Sequence, residues 1–269
     1  MNEQKSRFQD IINILGPRIV DSNIPCNSII TLAEIEAEFE CSRTVAREVQ
    51  RSLEGFGLVR AQRRIGMIVQ NKQSWNVFDP AIIRWRLNGP QRDSQLESLT
   101  ALRLAIEPHA VAAAARFASK EQREEILHLG KKVYELGAID SGPKFMRYDI
   151  MFHSRILQYC GNEMFAALSP VVESVLLWRT QLGLMPPRPE PRALEDHKQI
   201  AIEIYRGNPV AAYEAMVDLV GEVQEAFASS EPFRLRGISS TTHQTFEQME
   251  ENNAFDATAY PIPLEHKQS

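Results

Sequence analysis

The sequence predicts a mainly α-helical chain with two parts: three helices and a β-hairpin at the N-terminus, then an all-helical antiparallel bundle. Two observations lead to this fold class. Apolar residues recur every three to four positions in residues 6–57 and again in residues 94–230, as a buried helical face requires. Between these stretches, residues 71–93 lack a clean period and contain two prolines and a glycine. We therefore expect a linker there, with a short helix over 81–87.

The N-terminal part begins with a helix predicted over residues 6–21. Thr31 and Glu34 form a capping box that starts a second helix, which runs to about residue 39. Ser42 caps a third helix, and the turn before it has the short length of a helix-turn-helix. After Gly57, two short apolar segments flank a basic turn, which predicts a hairpin. Residues 1–70 are thus predicted to form a winged helix-turn-helix.

The C-terminal part is predicted to be a bundle of six helices over residues 94–230. One of these helices is capped at Ser119, and the others are predicted over 96–117, 145–159, 163–184, 194–205 and 209–227. Residues 231–269 are rich in Ser, Thr, Gln, Glu and Asn, so we expect a loosely ordered polar tail.

Composition favours a cytosolic protein with no membrane partner. The three cysteines form no CxxC pair, which fits a reducing compartment. The sequence contains no apolar signal core and no run near the roughly 18 apolar residues of a membrane span. The formal net charge of −5 argues against nucleic-acid binding over the whole surface. Whether the chain binds nucleic acid therefore depends on how its charges are distributed.

Arginines concentrate between residues 43 and 64, where six arginines stand against two glutamates. Three of them recur every fourth residue on the third helix, opposite its apolar stripe. This pattern predicts a helix that packs on one side and contacts DNA on the other, with the turn of the hairpin against the phosphate backbone or the minor groove. The alternative is a solvated charged face without a partner. The predicted DNA-binding residues are Ser42, Arg43, Thr44, Arg47, Arg51, Arg63, Arg64 and Gly66.

The helical part contains a candidate metal site. Asp149 and His153 are four residues apart on one helix, and His197 lies on a later helix. A carboxylate and two imidazoles on facing helices could hold zinc or another divalent ion. The same three residues could instead bind the hydroxyls of a ligand directly, or be ordinary packed side chains.

Arg103 interrupts a strongly apolar helix, and a guanidinium in a bundle interior needs an anion such as a carboxylate. Glu107 lies four residues on, and spacing alone favours a simple internal pair between the two. Arg179 is a second candidate of this kind, and its alternative is an ordinary surface residue.

The run SRTVAREV at residues 42–49 resembles the SRTPVREAL recognition helix of the GntR family of winged-helix regulators. Residues 56–59 and 66–69 resemble the turn and wing of that family, and the helical part resembles the ligand-sensing FCD domain of its FadR subfamily. Residues 75–85 resemble the linker of members that respond to gluconate or galactonate. The resemblance covers roughly residues 5–230. It implies a homodimeric repressor that binds double-stranded operator DNA and is released by a sugar acid.

The resemblance also assigns roles in the helical part. Residues 147–153 and 196–198 match ligand-bearing segments of FadR-subfamily sensors. Asp149, His153 and His197 would then hold one divalent metal ion, zinc in the first place, and also take part in effector binding. Arg103 matches the position expected to hold the effector's acid group. Leu219 stands where metal-binding members often have a further histidine, which would leave coordination positions open.

The second helix departs from the family. Ala33 stands where an arginine is expected to contact DNA, and four glutamates follow it: Glu34, Glu36, Glu38 and Glu40. These acids would repel phosphate if they faced DNA.

Three rival functions remain: a metal-dependent enzyme, a structural DNA-packaging protein, and a regulator that senses lactate or a fatty-acid derivative. The sequence has no glycine-rich phosphate loop, nucleophile elbow or suitably placed general base. We therefore expect no enzymatic activity.

Overall fold

The computed structural model describes residues 2–181 and 188–229, with side chains described for 7–178 and 188–221. The predicted tail at 231–269 lies outside these residues. The chain divides into two compact units, Met1–Gln95 and Leu96–Ser269. Among the described residues, no helix is long and apolar enough to cross a membrane.

The first unit contains four α-helices, a short 3₁₀ helix and three strands. In chain order they are α1 (Asn2–Val20), β1 (Ile29–Ile30), α2 (Leu32–Glu38), α3 (Arg43–Gly55), β2 (Val59–Gln62), β3 (Gly66–Val69), the 3₁₀ turn (Lys72–Ser74) and α4 (Pro80–Asn88). The capping box predicted at Thr31 and Glu34 is present, and the Ser42 side chain caps α3. The winged helix-turn-helix fold is confirmed.

The wing has one strand more than the sequence indicated. The strands are antiparallel in the order β1-β3-β2, with Ile29 opposite Ile68 and Ile30 opposite Met67. A two-residue strand is too short to show alternation in the sequence. Gly66 has a φ of 127°, and a Cβ there would lie 2.8 Å from the carbonyl oxygen of Ile30. The close approach of β1 therefore requires glycine at this position.

The remaining helices form the bundle. They are α5 (Arg92–Phe117), α6 (Lys120–Gly137), α7 (Pro143–Tyr159), α8 (Glu163–Ala167), α9 (Ser169–Gln181), α10 (Pro191–Arg206) and α11 (Pro209–Ser229). The single helix predicted over 163–184 is broken into α8 and α9. Pro170 accounts for the break, because proline lacks an N–H and is best tolerated in the first turn of a helix, where α9 has it.

The bundle core is apolar, with Phe152, Ile156, Ile200 and Ile204 each at most 1% exposed. Helices α6 and α10 approach closely at Gly130, where a Cβ would lie 2.4 Å from the Cβ of Ala201. This contact fixes α10 against the neighbouring helices. A group of buried ionisable side chains lies within the same unit.

Candidate functional site

The third helix presents its arginines to solvent. Val45, Val49 and Leu53 are buried, whereas Arg43, Arg47 and Arg51 are exposed. The helix is therefore split as the spacing predicted, with one apolar side and one cationic side. Among the other predicted DNA-binding residues, Ser42, Thr44, Arg63 and Arg64 are exposed and Gly66 is partly buried.

The acidic run of α2 is engaged within the first unit. The Glu34 carboxylate accepts a hydrogen bond from the backbone N–H of Thr31 at 2.7 Å, so it serves the capping box. Oε1 of Glu36 lies 3.0 Å from Nη1 of Arg43 on the third helix. The two remaining ion pairs join Glu38 to Arg18 and Glu40 to Arg7. Glu36 and Glu38 thus pair α2 with α3 and α1, and the sequence alone did not indicate these partners.

The three predicted metal ligands come together in the bundle. Asp149 and His153 on α7 and His197 on α10 are 7%, 2% and 6% exposed. Nε2 of His197 lies 2.9 Å from Oδ1 of Asp149, and Nε2 of His153 lies 3.6 Å from the same oxygen. One potential ligand atom from each residue lies within 4.8 Å of the other two. The spacing argument thus identified side chains that meet in three dimensions.

The outer nitrogen of each histidine lies close to an oxygen atom. Nδ1 of His197 donates to the carbonyl oxygen of Ala193 at 2.6 Å, since a carbonyl can only accept. Nδ1 of His153 lies 2.7 Å from Oε2 of Glu107. Both imidazoles therefore turn Nε2 toward Asp149. Metal-binding histidines have this arrangement, in which a carbonyl or carboxylate orients the ring from behind.

Arg103 and Glu107 form an ion pair behind His153. Arg103 donates from Nε to Oε1 and from Nη2 to Oε2, the latter at 3.2 Å, and the two side chains are 4% and 1% exposed. The internal pairing considered from the sequence is present. The sequence did not indicate that Glu107 also contacts His153, because that contact joins two helices. The side chain of Arg179 lies outside the described side chains.

Burial and close charges fix the ionisation of this group. Burial alone raises the pKa of Glu107, but Arg103 and His153 outweigh it and lower this pKa to about 2. Burial likewise opposes ionisation of Asp149, yet hydrogen bonds from His153 and His197 hold its pKa below the usual range. The pKa of His153 is raised by Glu107 and Asp149 despite its burial. Both carboxylates are therefore ionised at neutral pH.

Residues 98–222 match the model of the FCD domain. The galactonate operon transcriptional repressor of Escherichia coli K12 is 26% identical over 216 residues, which is 78% of this chain and 92% of that protein. The uncharacterized HTH-type transcriptional regulator YieP of the same organism is 25% identical over 177 residues, or 64% and 75% of the two chains.

A solved structure has the same fold. The structure of Lar, described as controlling expression of the Listeria monocytogenes agr system, superposes with a TM-score of 0.50 at 14% identity. The match covers 83% of this chain and 97% of Lar. The winged helix, the FCD domain and the similarity to these regulators support a transcriptional regulator of the GntR type, in the FadR group, rather than an enzyme.

Proposed function

We propose that the chain is a homodimeric repressor of sugar-acid catabolic genes, and that a sugar acid bound in the FCD domain releases it from its operator. The observation that carries this proposal is the buried group of Arg103, Glu107, Asp149, His153 and His197. The similarity to a galactonate operon repressor supports a sugar acid as the effector class.

The net charge of the buried group bears on what can bind there. One guanidinium stands against two carboxylates, so the group carries one net negative charge when both imidazoles are neutral. A carboxylate effector would be repelled from such a site at short range, where the low dielectric strengthens the repulsion. Binding an acid therefore requires additional positive charge, which either a proton on His153, whose pKa is raised, or a metal ion would supply.

The residues present fit a divalent metal ion. Asp149, His153 and His197 offer a carboxylate and two Nε2 atoms, and the outer nitrogen of each ring lies close to an oxygen of Ala193 or Glu107. A bound divalent ion would supply positive charge and a coordination position for an effector carboxylate. Leu219 is 5% exposed and offers no ligand atom. Three protein ligands leave room for water or effector, as in open zinc sites.

Direct binding of the effector is the alternative. Asp149 and the histidines would then accept from and donate to its hydroxyl groups, and Arg103 would hold its acid group. Arg103 already donates two hydrogen bonds to Glu107, so only its remaining N–H groups would donate to the effector. Lactate or a fatty-acid derivative is the alternative effector class.

On the first unit, the exposed residues of α3 are proposed to contact base edges in the major groove, with Arg43, Thr44 and Arg47 nearest the start of the helix. Arg63 and Arg64 in the wing turn are proposed to contact the phosphate backbone or the minor groove. Two copies related by a twofold axis would bind a pseudo-palindromic operator.

The test is a thermal-unfolding series on the full chain after treatment with chelator. We expect Zn²⁺ to raise the midpoint, and galactonate or gluconate to raise it further only when Zn²⁺ is present. A ligand at 100 times its Kd stabilises the native state by about 2.7 kcal/mol. Lactate and a fatty acid are the comparison ligands.

Two variants control this series. Asp149→Asn should abolish the response to Zn²⁺, whereas His128→Ala should keep it, because His128 is an exposed histidine on α6. A full galactonate response in chelator would favour direct binding. Lack of any response to sugar acids would contradict the proposed effector class.

A further inference from the structure

Arg86, on α4 of the first unit, is a buried cation without a described counter-ion. It is 5% exposed, and its Nε has no hydrogen-bond partner. No ion pair joins it to a carboxylate within residues 7–178 and 188–221. A buried guanidinium without an anion is unfavourable, because its lost hydration is not replaced. Burial accordingly lowers the pKa of Arg86.

A second cation interacts electrostatically with it. Lys72, in the 3₁₀ turn after the wing, has a pKa lowered by burial and then by the positive charge of Arg86. Its ammonium donates to a neutral acceptor, Oε1 of Gln91, at 3.4 Å. The Gln91 amide in turn donates to the carbonyl oxygen of Val20. Among the described side chains no ion pair supplies a counter-ion to either cation, although the Asp21 carboxylate lies against Gly89 at the end of α4.

We infer that Arg86 and Lys72 form a binding site for a small oxyanion, a phosphate or a carboxylate. The planar fork of a guanidinium matches two oxygens of such an ion, and the lysine adds a second positive charge. Lys72 is exposed, so a small ion can reach the lysine from solvent. Because Arg86 is almost fully covered, the phosphate backbone of a DNA duplex is a poorer fit than a dissolved ion.

The site is separate from the proposed effector site. Its residues belong to the unit Met1–Gln95, whereas Asp149, His153 and His197 belong to the bundle. The inference does not depend on the effector or on the metal.

The experiment measures thermal unfolding of the full chain while chloride is exchanged for inorganic phosphate, and separately for acetate, at constant ionic strength. Chelator is present throughout. We expect the midpoint of the wild-type chain to rise with one of the two anions. A rise with phosphate assigns a phosphate ligand, and a rise with acetate assigns a carboxylate. Absence of both would overturn the inference.

Arg86→Met keeps the length of the side chain and removes its charge. We expect it to lose the anion response and to unfold at the same or a higher temperature than wild type in chloride, because an unpaired buried charge is gone. A merely structural arginine would give a lower midpoint in every buffer, and that result, or a retained response, would overturn the inference.

Two further variants keep the test decisive. Lys72→Gln should weaken the response about tenfold in anion concentration while the chain stays folded, since Lys72 is exposed. Arg84→Met is the matched control on α4, because the Arg84 guanidinium already donates to Oδ1 of Asn13 at 3.2 Å. It should keep the full response.

Discussion

The arginines of this chain have different roles, which depend on the groups that surround each of them. Arg43 has a side chain 61% exposed and is held by one carboxylate, Glu36, whose side chain is 29% exposed. Arg103 is buried and held in a two-donor contact by Glu107. Exposed pairs contribute roughly 0–1 kcal/mol, so Arg43 can exchange its partner for DNA at little cost. Arg103 cannot leave Glu107 without leaving a charge unpaired in the core.

Glu36 should therefore limit the affinity of the third helix for DNA of any sequence. We expect Glu36→Gln to tighten binding to random-sequence duplexes by up to about fivefold, because the ion pair that competes with phosphate contributes about 1 kcal/mol at most. The measurement is fluorescence anisotropy with labelled 30-base-pair duplexes at several salt concentrations.

Glu48→Gln is the matched control, because Glu48 is an exposed acid on α3 that makes no described ion pair with Arg43. Arg43→Ala should weaken binding, and the effect of Glu36→Gln should shrink in that background. Equal effects of Glu36→Gln with and without Arg43 would show that the ion pair plays no part.

At the scale of elements, the close contact of α6 with α10 positions His197. A Cβ at Gly130 would lie 2.4 Å from the Cβ of Ala201 and 3.1 Å from the carbonyl oxygen of His197. Gly130→Ala should therefore push α10 away, and overpacking of this kind costs about 1–3 kcal/mol. The free energy of unfolding in urea measures the loss.

Gly221→Ala on α11 is the control, because a Cβ there meets nothing within 4 Å. Both variants gain the helix propensity of alanine, roughly 1 kcal/mol, so their difference isolates the packing. Gly130→Ala should also reduce the Zn²⁺-induced rise in the unfolding midpoint. Equal stability of the two variants would mean that α10 adjusts freely.

The elements that the sequence predicted well are those with a local signal. The caps at Thr31 and Ser42 and the apolar stripe of α3 depend on residues within one or two turns. Strand β1 was missed because its pairing partner lies far along the chain.

In the candidate site, too, the sequence predicted what local spacing determines and missed contacts that depend on packing. Spacing put Asp149 and His153 on one face, but the contact of Glu107 with His153 and the partners of the α2 acids depend on packing between helices.

At the scale of the whole molecule, the proposed function requires that two events on one chain, effector binding and operator binding, be coupled. The residues proposed to bind the effector and those proposed to bind DNA belong to different units, so the coupling does not require direct contact between them. Thermodynamic linkage nonetheless constrains the size of the coupling. If galactonate weakens operator binding by some factor, operator DNA must weaken galactonate binding by the same factor.

We expect that factor to lie between about 5 and 150, the usual range of coupling between sites. The DNA ligand is the duplex that the protein itself selects from a randomised pool. Operator affinity is measured with and without saturating galactonate and Zn²⁺, and galactonate affinity with and without saturating duplex.

Asp149→Asn should bind the duplex as wild type does, because it leaves α3 intact. It should no longer respond to galactonate, because it removes one carboxylate of the buried group. Unequal factors in the two directions would show that the galactonate site measured is not the one that controls DNA binding. Loss of duplex binding in Asp149→Asn would show that Asp149 stabilises the fold.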